Sequence, residues 1–149
     1  MIVADTNLIA YFFIKEPLSG VAEAVFRKDA DWAAPQFWRS EFRSVLAKFV
    51  RRGSMQFSDA LNTMQDAEDL FWGREFRVDS GPVLASANQS GCSPYDCEYV
   101  LLAQELDVPL VTDDRKVLAA FPDTAVSMYA FASRGDAVVA TQAVSTASA

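Results

Sequence analysis

Histidine is absent from this 149-residue chain, and cysteine occurs only at Cys92 and Cys97. The first absence excludes His-dependent triads, His–Cys dyads and most zinc chemistry. The two cysteines stand in a C-x4-C spacing that matches no common zinc pattern, so they read as buried free thiols. No apolar run approaches the roughly 20 residues that a membrane span needs. The N-terminal stretch lacks the basic segment and small-residue cleavage site of a secretory signal. A cytoplasmic protein without a membrane anchor is therefore expected. Basic residues are also in the minority, 13 against 20 acids for a net charge of −7, which taken alone argues against a nucleic-acid partner. What the chain does have is apolar material, 51% of its residues, enough for one domain with a substantial core. Its catalytic material is carboxylate.

The chain is organised around its first stretch, Met1-Ile2-Val3-Ala4-Asp5-Thr6-Asn7-Leu8-Ile9. Ile2 to Ala4 read as a short buried strand, Asp5 stands at its C-terminal end, and a helix begins at about Thr6. Ligands of open α/β sheets bind in the crevice beyond the C-terminal strand ends. An acid placed there is costly unless water, a donor or a cation offsets it. Asp5 also has the ordinary reading of a helix cap.

Further along, Lys15 to Leu18 form a connection and Ser19 caps a helix to about Lys28. Trp32 to Ala34 make a second strand, stopped by Pro35. From Gln36 to Arg52, Phe42, Val45, Leu46, Phe49 and Val50 recur at helical spacing, with Gly53 as the stop. Glu41 lies on or beside that apolar face, where an acid is out of place. Another amphipathic helix runs from Ser58 to about Trp72, and Phe76 to Val78 suggest a third strand. A short helix opens at Ser80 and Pro82 and ends near Gly91. Ser93 as cap and Pro94 as first residue start the next helix, which puts Asp96 in its first turn and ends at Leu106. Leu110 to Thr112 form a fourth strand that runs into Asp113 and Asp114. A helix from Arg115 to Phe121 and a strand from Ala125 to Met128 complete a β-α alternation, which indicates the α/β class. The division expected is a domain over 1–132 and an Ala-, Ser- and Thr-rich tail over 133–149, poorly ordered or partner-dependent.

Asp5, Glu41, Asp96 and the Asp113-Asp114 pair are thus acids that the local pattern does not ask to be solvated. Singly, each has a plain role: Asp96 stabilises a helix dipole, Asp114 caps the next helix, and Glu41 pairs with Arg39 or Arg43. If the first and fourth strands are parallel neighbours, Asp5 and Asp114 meet at the C-terminal edge of the sheet. Like charges a few ångströms apart repel by roughly 1–4 kcal/mol per pair, so a cluster of them persists chiefly where a cation needs it. Oxygen donors without His or Cys point to Mg²⁺ or Mn²⁺. Such an ion binds a phosphodiester oxygen and activates water for in-line attack.

At this point the sequence resembles a known family. Val3-Ala4-Asp5-Thr6-Asn7 is similar to the opening motif of PIN domains. Ala34-Pro35 with Glu41 and Val45-Leu46 resembles their second block. Ser93-Pro94-Tyr95-Asp96 with Tyr99-Val100 and Leu102-Ala103 resembles the third, and Leu110-Val111-Thr112-Asp113-Asp114 the fourth. The likeness covers about residues 1–130, and block style and size look most like VapC toxins of bacterial toxin–antitoxin pairs. It implies a three-layer α/β/α sandwich with a central parallel sheet and a Mg²⁺- or Mn²⁺-dependent ribonuclease site. Asp5, Glu41, Asp96 and Asp114 match the family's acidic positions, with Asp114 preferred to Asp113 by its place two residues after Thr112. Glu41 would reach the ion directly or through water. Asn7 and Thr112 would support the acids or face substrate. The resemblance further implies an RNA substrate, a homodimer and inhibition by a cognate antitoxin.

The charge objection then weakens. Setting aside Asp5, Glu41, Asp96, Asp113 and Asp114 leaves a balance of −2 against the 13 bases. Arg39, Arg43, Arg51 and Arg52, with Arg115 and Lys116 beside Asp114, are candidates to hold RNA phosphates. A receiver domain would need an additional acidic pair near the first strand and a Lys after the fifth. A haloacid-dehalogenase-like phosphatase would need Asp where Asn7 stands. A non-toxin RNA-processing nuclease of PIN type, and a binding module that keeps the fold without catalysis, remain as alternatives.

Overall fold

The computed structural model describes residues 1–15 and 17–134. Its strands are β1 (Ile2–Ala4), β2 (Trp32–Pro35), β3 (Glu75–Phe76), β4 (Leu110–Val111) and β5 (Ala125–Val126). All pair in parallel in the order β3-β2-β1-β4-β5. Val3 of β1 lies opposite Ala33 on one side and Leu110 on the other, which makes β1 the centre of the sheet. Every residue of β1, β2, β4 and β5 is buried. Strands closed off on both faces need helices on both, as parallel sheets do. The chain builds outward from β1 through β2 to β3, then returns to lay β4 and β5 on the opposite side. The switch point therefore falls between β1 and β4, and the crevice beyond their C-terminal ends is where such folds place ligands.

The helices are α1 (Thr6–Phe13), α2 (Ser19–Lys28), α3 (Trp38–Arg51), α4 (Phe57–Leu70), α5 (Ser80–Ser90), α6 (Pro94–Leu106), α7 (Arg115–Ala120) and α8 (Met128–Ser133). They fall into two main packed groups. α1 touches α2, α3 and α4, while α2 touches α8. α5 instead packs on α6, which lies against β1, β2 and β4. One continuous core runs through the sheet, with Ile2, Trp32, Trp38, Phe42, Phe71 and Leu102 among its fully buried members. The α/β class and the parallel sheet stand as expected. Among the described residues no helix is long and apolar enough to cross a membrane.

Several boundaries differ from expectation for identifiable reasons. β3 comprises Glu75 and Phe76 rather than Phe76 to Val78, because β2 ends at Pro35 and offers residues 77 and 78 no strand to pair with. The apolar run read as a strand to Met128 breaks after Val126. Ser127 there caps α8, its hydroxyl accepting from the Ala130 N–H at 3.1 Å. That helix was not anticipated. Its Met128 and Phe131 are buried, and the Lys28 ammonium donates to the carbonyls of Phe131 and Arg134, fastening α2 to the end of α8. The tail expected over 133–149 therefore begins inside α8, and the rest of it, 135–149, lies outside the described residues.

Both cysteines are buried free thiols, as anticipated. Cys92 precedes the N-cap of α6 and Cys97 is its fourth helical residue. With Val83 they form a small apolar cluster, the arrangement of a hydrophobic staple that fixes how the chain enters the helix.

Candidate functional site

At the C-terminal end of β1, Asp5 turns the chain into α1. Its Oδ1 accepts from the Thr6 N–H at 2.7 Å, and its Oδ2 accepts from the Thr112 hydroxyl at 2.6 Å. Thr112 follows β4 and is fully buried, so the β1–β4 pairing alone brings these two groups together across 107 positions of sequence. The Asp114 N–H donates in turn to the Thr112 hydroxyl oxygen at 3.1 Å.

Glu41 arrives from the first turn of α3. Its Oε1 accepts from the Thr6 hydroxyl and from the Tyr99 phenol, both at 2.8 Å. Those two hydroxyl oxygens lie 2.6 Å apart. Tyr99 stands on α6 one turn beyond Asp96. Asp96 closes a capping box with Ser93: the Ser93 hydroxyl accepts from the Asp96 N–H at 3.1 Å, and Asp96 Oδ2 accepts from the Ser93 N–H at 3.3 Å. Acids from the end of β1, from α3 and from α6 are thus near enough for the charges of Glu41 and Asp96 to act on Asp5.

The electrostatics agree. The Asp5 carboxyl is pushed up to about 6, first by burial and then by the charges of Glu41 and Asp96, against the opposing hydrogen bonds from Thr112 and the Thr6 backbone. Burial, with the nearby Glu41 and Asp5, holds the Tyr99 phenol well above its ordinary value. Glu98 is raised by burial and then by Glu41. None of the ion pairs among the described residues involves Asp5, Glu41, Asp96 or Asp114.

Of the residues expected at the site, Asp5, Thr112 and, by way of Thr6, Glu41 are joined by hydrogen bonds, and Asp96 is near enough for its charge to act on Asp5. Asp114 is joined to them through Thr112, while its Oδ1 caps α7 by accepting from the N–H groups of Lys116 and Val117 at 2.9 and 3.1 Å. Asp113 is used otherwise: its Oδ1 accepts from the Met128 N–H at 3.0 Å and anchors the start of α8. Asn7 is exposed in the first turn of α1. Arg39 is engaged away from the acids, its guanidinium donating to both oxygens of Glu75 at 2.6 and 2.9 Å and to Glu68 at 3.2 Å. Arg43 is exposed on α3, beside an apolar groove with α4 of about 380 Å³ lined by Leu46, Val50, Phe57, Leu61 and Met64. Arg115 is exposed at the start of α7. Sequence reasoning missed Thr6 and Tyr99, and the signal available was their placement: Thr6 beside Asp5, and Tyr99 three residues after Asp96.

The donor set suits a hard cation. Glu41 Oε2, Asp96 Oδ1 and Asp114 Oδ2 have no hydrogen-bond partner among the described residues. No buried side-chain oxygen or nitrogen there lacks one, so these three oxygens face accessible space. Among the described residues no three acidic, His or Cys side chains are gathered into a ready-made cage. Mg²⁺ does not ask for one, since it keeps several waters and takes one or two carboxylates plus substrate phosphate.

No family model matches the chain. It is 27% identical over 126 residues to a protein of Pyrobaculum aerophilum named ribonuclease VapC3, an alignment covering 81% of this chain and 95% of that protein. The crystal structure of PAE2754 from Pyrobaculum aerophilum superposes with a TM-score of 0.71 at 19% identity, over 89% of this chain and 94% of the other. That of FitAcB from Neisseria gonorrhoeae gives 0.64 at 19% identity, over 87% and 99%. The fold is shared with both structures. The resemblance to VapC-type proteins seen in the four sequence blocks is matched by a relative of that name.

Proposed function

We propose that this chain is a ribonuclease of the PIN type that depends on Mg²⁺ or Mn²⁺ and acts as the toxin of a bacterial toxin–antitoxin pair. The observation that carries the reading is the hold that Glu41 and Asp96, from two other elements, exert by charge on Asp5 at the β1–β4 switch point, with no ion pair to any of the three among the described residues. The similarity to a ribonuclease over nearly its whole length supports the reaction class. Asp5, Asp96 and Glu41 would hold the ion, Glu41 directly or through water, with Asp114 at the edge of the group. The ion, when bound, supplies positive charge to a phosphodiester oxygen and acidifies water for in-line attack.

The chain's own residues prepare that chemistry. Asp5 is fixed at both oxygens by Thr6 and Thr112, so its remaining lone pairs have a set direction. Asp96 and Asp114 each spend one oxygen on a helix N-terminus, which holds the carboxylate still and leaves the other oxygen open. Arg115 and Lys116, exposed beside Asp114, can neutralise RNA phosphates without cancelling the acids. Arg39 drops out of that role because Glu75 and Glu68 occupy it. An antitoxin partner, a homodimer and a cytoplasmic location belong to the same proposal.

A second reading has an observation behind it: Asp5, Asp96 and Asp114 all act as helix caps, so a non-catalytic domain could keep them for stability alone. RNA cleavage separates the two. Purified protein is expected to cut single-stranded RNA with Mg²⁺ or Mn²⁺, to stop in excess chelator, and to lose at least about 100-fold in rate as Asp5→Asn, the scale on which removing preorganised electrostatic stabilisation acts. Equal cleavage by the variant, or by wild type in chelator, would favour the cap reading.

A further inference from the structure

We infer that Thr6 and Tyr99 are positioning residues: a pair of neutral hydroxyls that fixes the spacing of Asp5, Glu41 and Asp96 and leaves the second oxygen of Glu41 open. The inference rests on the ribonuclease reading and concerns how its acids are held.

Thr6 grips two acids at once. Its N–H donates to Asp5 Oδ1 at 2.7 Å and its hydroxyl to Glu41 Oε1 at 2.8 Å, so one residue sets their separation. Tyr99 makes the third connection, donating to the same Glu41 oxygen at 2.8 Å from the helix that carries Asp96. Both side chains are buried, and water does not compete for them.

The three oxygens form a triangle with edges of 2.8, 2.8 and 2.6 Å, yet two hydroxyls bring only two protons. With both protons on Glu41 Oε1, the carboxylate cannot rotate without breaking two hydrogen bonds. Oε2 is thereby kept on the accessible side. A lysine or arginine would hold Glu41 more strongly, but it would also cancel the negative field that attracts a cation. Hydroxyls hold it and leave the charge in place, which fits the lack of any ion pair to these acids among the described residues.

The test is a calorimetric Mn²⁺ titration of RNA-free wild type, Tyr99→Phe, Thr6→Val and Thr6→Ser, beside their melting temperatures and cleavage kinetics. Partners that orient ligating carboxylates typically contribute 10–100-fold to metal affinity or activity. Tyr99→Phe and Thr6→Val are expected to bind Mn²⁺ about 10-fold or more weakly, and Thr6→Ser to recover most of the affinity. In cleavage, kcat should fall while KM for RNA stays, because neither hydroxyl faces substrate. Wild-type Mn²⁺ affinity in Tyr99→Phe and Thr6→Val would overturn the inference, as would a Thr6→Ser protein no better than Thr6→Val. Absence of Mn²⁺ binding by wild type would overturn the metal reading itself, and this inference with it.

Discussion

Asp5 carries the physical tension of the site. Its carboxyl titrates at about 6 in the fold against an ordinary 3.8, chiefly because it is buried, so the folded state disfavours the ionised form. A group raised in this way contributes its stability below about pH 4 and loses it as pH climbs through about 6. Two units correspond to about 3 kcal/mol at most. Asp5→Asn keeps the acceptor for the Thr6 N–H and removes the charge, but its amide nitrogen replaces the oxygen that accepts from the fully buried Thr112 hydroxyl, which costs about 1–3 kcal/mol at any pH. Relative to wild type, metal-free Asp5→Asn is therefore expected to gain a few degrees of melting temperature between pH 4 and pH 8. A difference from wild type that stays the same at both pH values would show that burying the Asp5 charge costs the fold nothing. The acids themselves were legible in the sequence because each interrupts an apolar or helical pattern. Thr6 and Tyr99 were not: a hydroxyl on a buried face reads as core, and their shared partner, Glu41, lies 35 and 58 positions away.

Between α3 and β3 a second cluster has a structural part. Glu75, on the edge strand, accepts from the Trp38 indole N–H at 2.7 Å and from two nitrogens of Arg39. It binds the start of the helix carrying Glu41 to the sheet. The Arg39 guanidinium and the Trp38 N–H hold the Glu75 carboxyl below its ordinary range, against the opposing effect of partial burial. A lowered carboxylate contributes stability above its unfolded value of about 4.5 and loses it as pH falls through the folded one. Both partners are partly exposed, so Glu75→Gln should cost only about 1 kcal/mol at pH 7. The difference from wild type in urea unfolding should shrink as pH drops below about 4. A cost that persists unchanged in acid would mean that the ion pair is not its source. The same elements show where sequence patterns stop. α3, with five apolar residues in register, was readable to within two residues at its N-terminus. β3 was displaced because two residues carry no periodicity. α8 was missed because an apolar run as short as Ala125 to Met128 suits a strand or a helix equally.

For the whole molecule, the sheet order β3-β2-β1-β4-β5 sets the base of the site, the pairing of β1 with β4. Alternating strands and helices announce a parallel sheet, but lateral order depends on which strand returns to which edge, and no local pattern encodes that. The adjacency of β1 and β4 was a condition in the sequence reading and is a feature of the fold. It turns Asp5 and Thr112, 107 positions apart, into hydrogen-bonded neighbours. On the reading proposed above, a chain with seven excess negative charges would keep these acids for a cation while exposed arginines remain for phosphate. The most direct test is a crystal of the metal-free protein soaked in Mn²⁺ and measured for anomalous scattering. A manganese peak bounded by the carboxylates of Asp5, Glu41 and Asp96, and absent from Asp5→Asn crystals treated identically, is the predicted result. Manganese bound elsewhere, or none at those three side chains, would contradict the account.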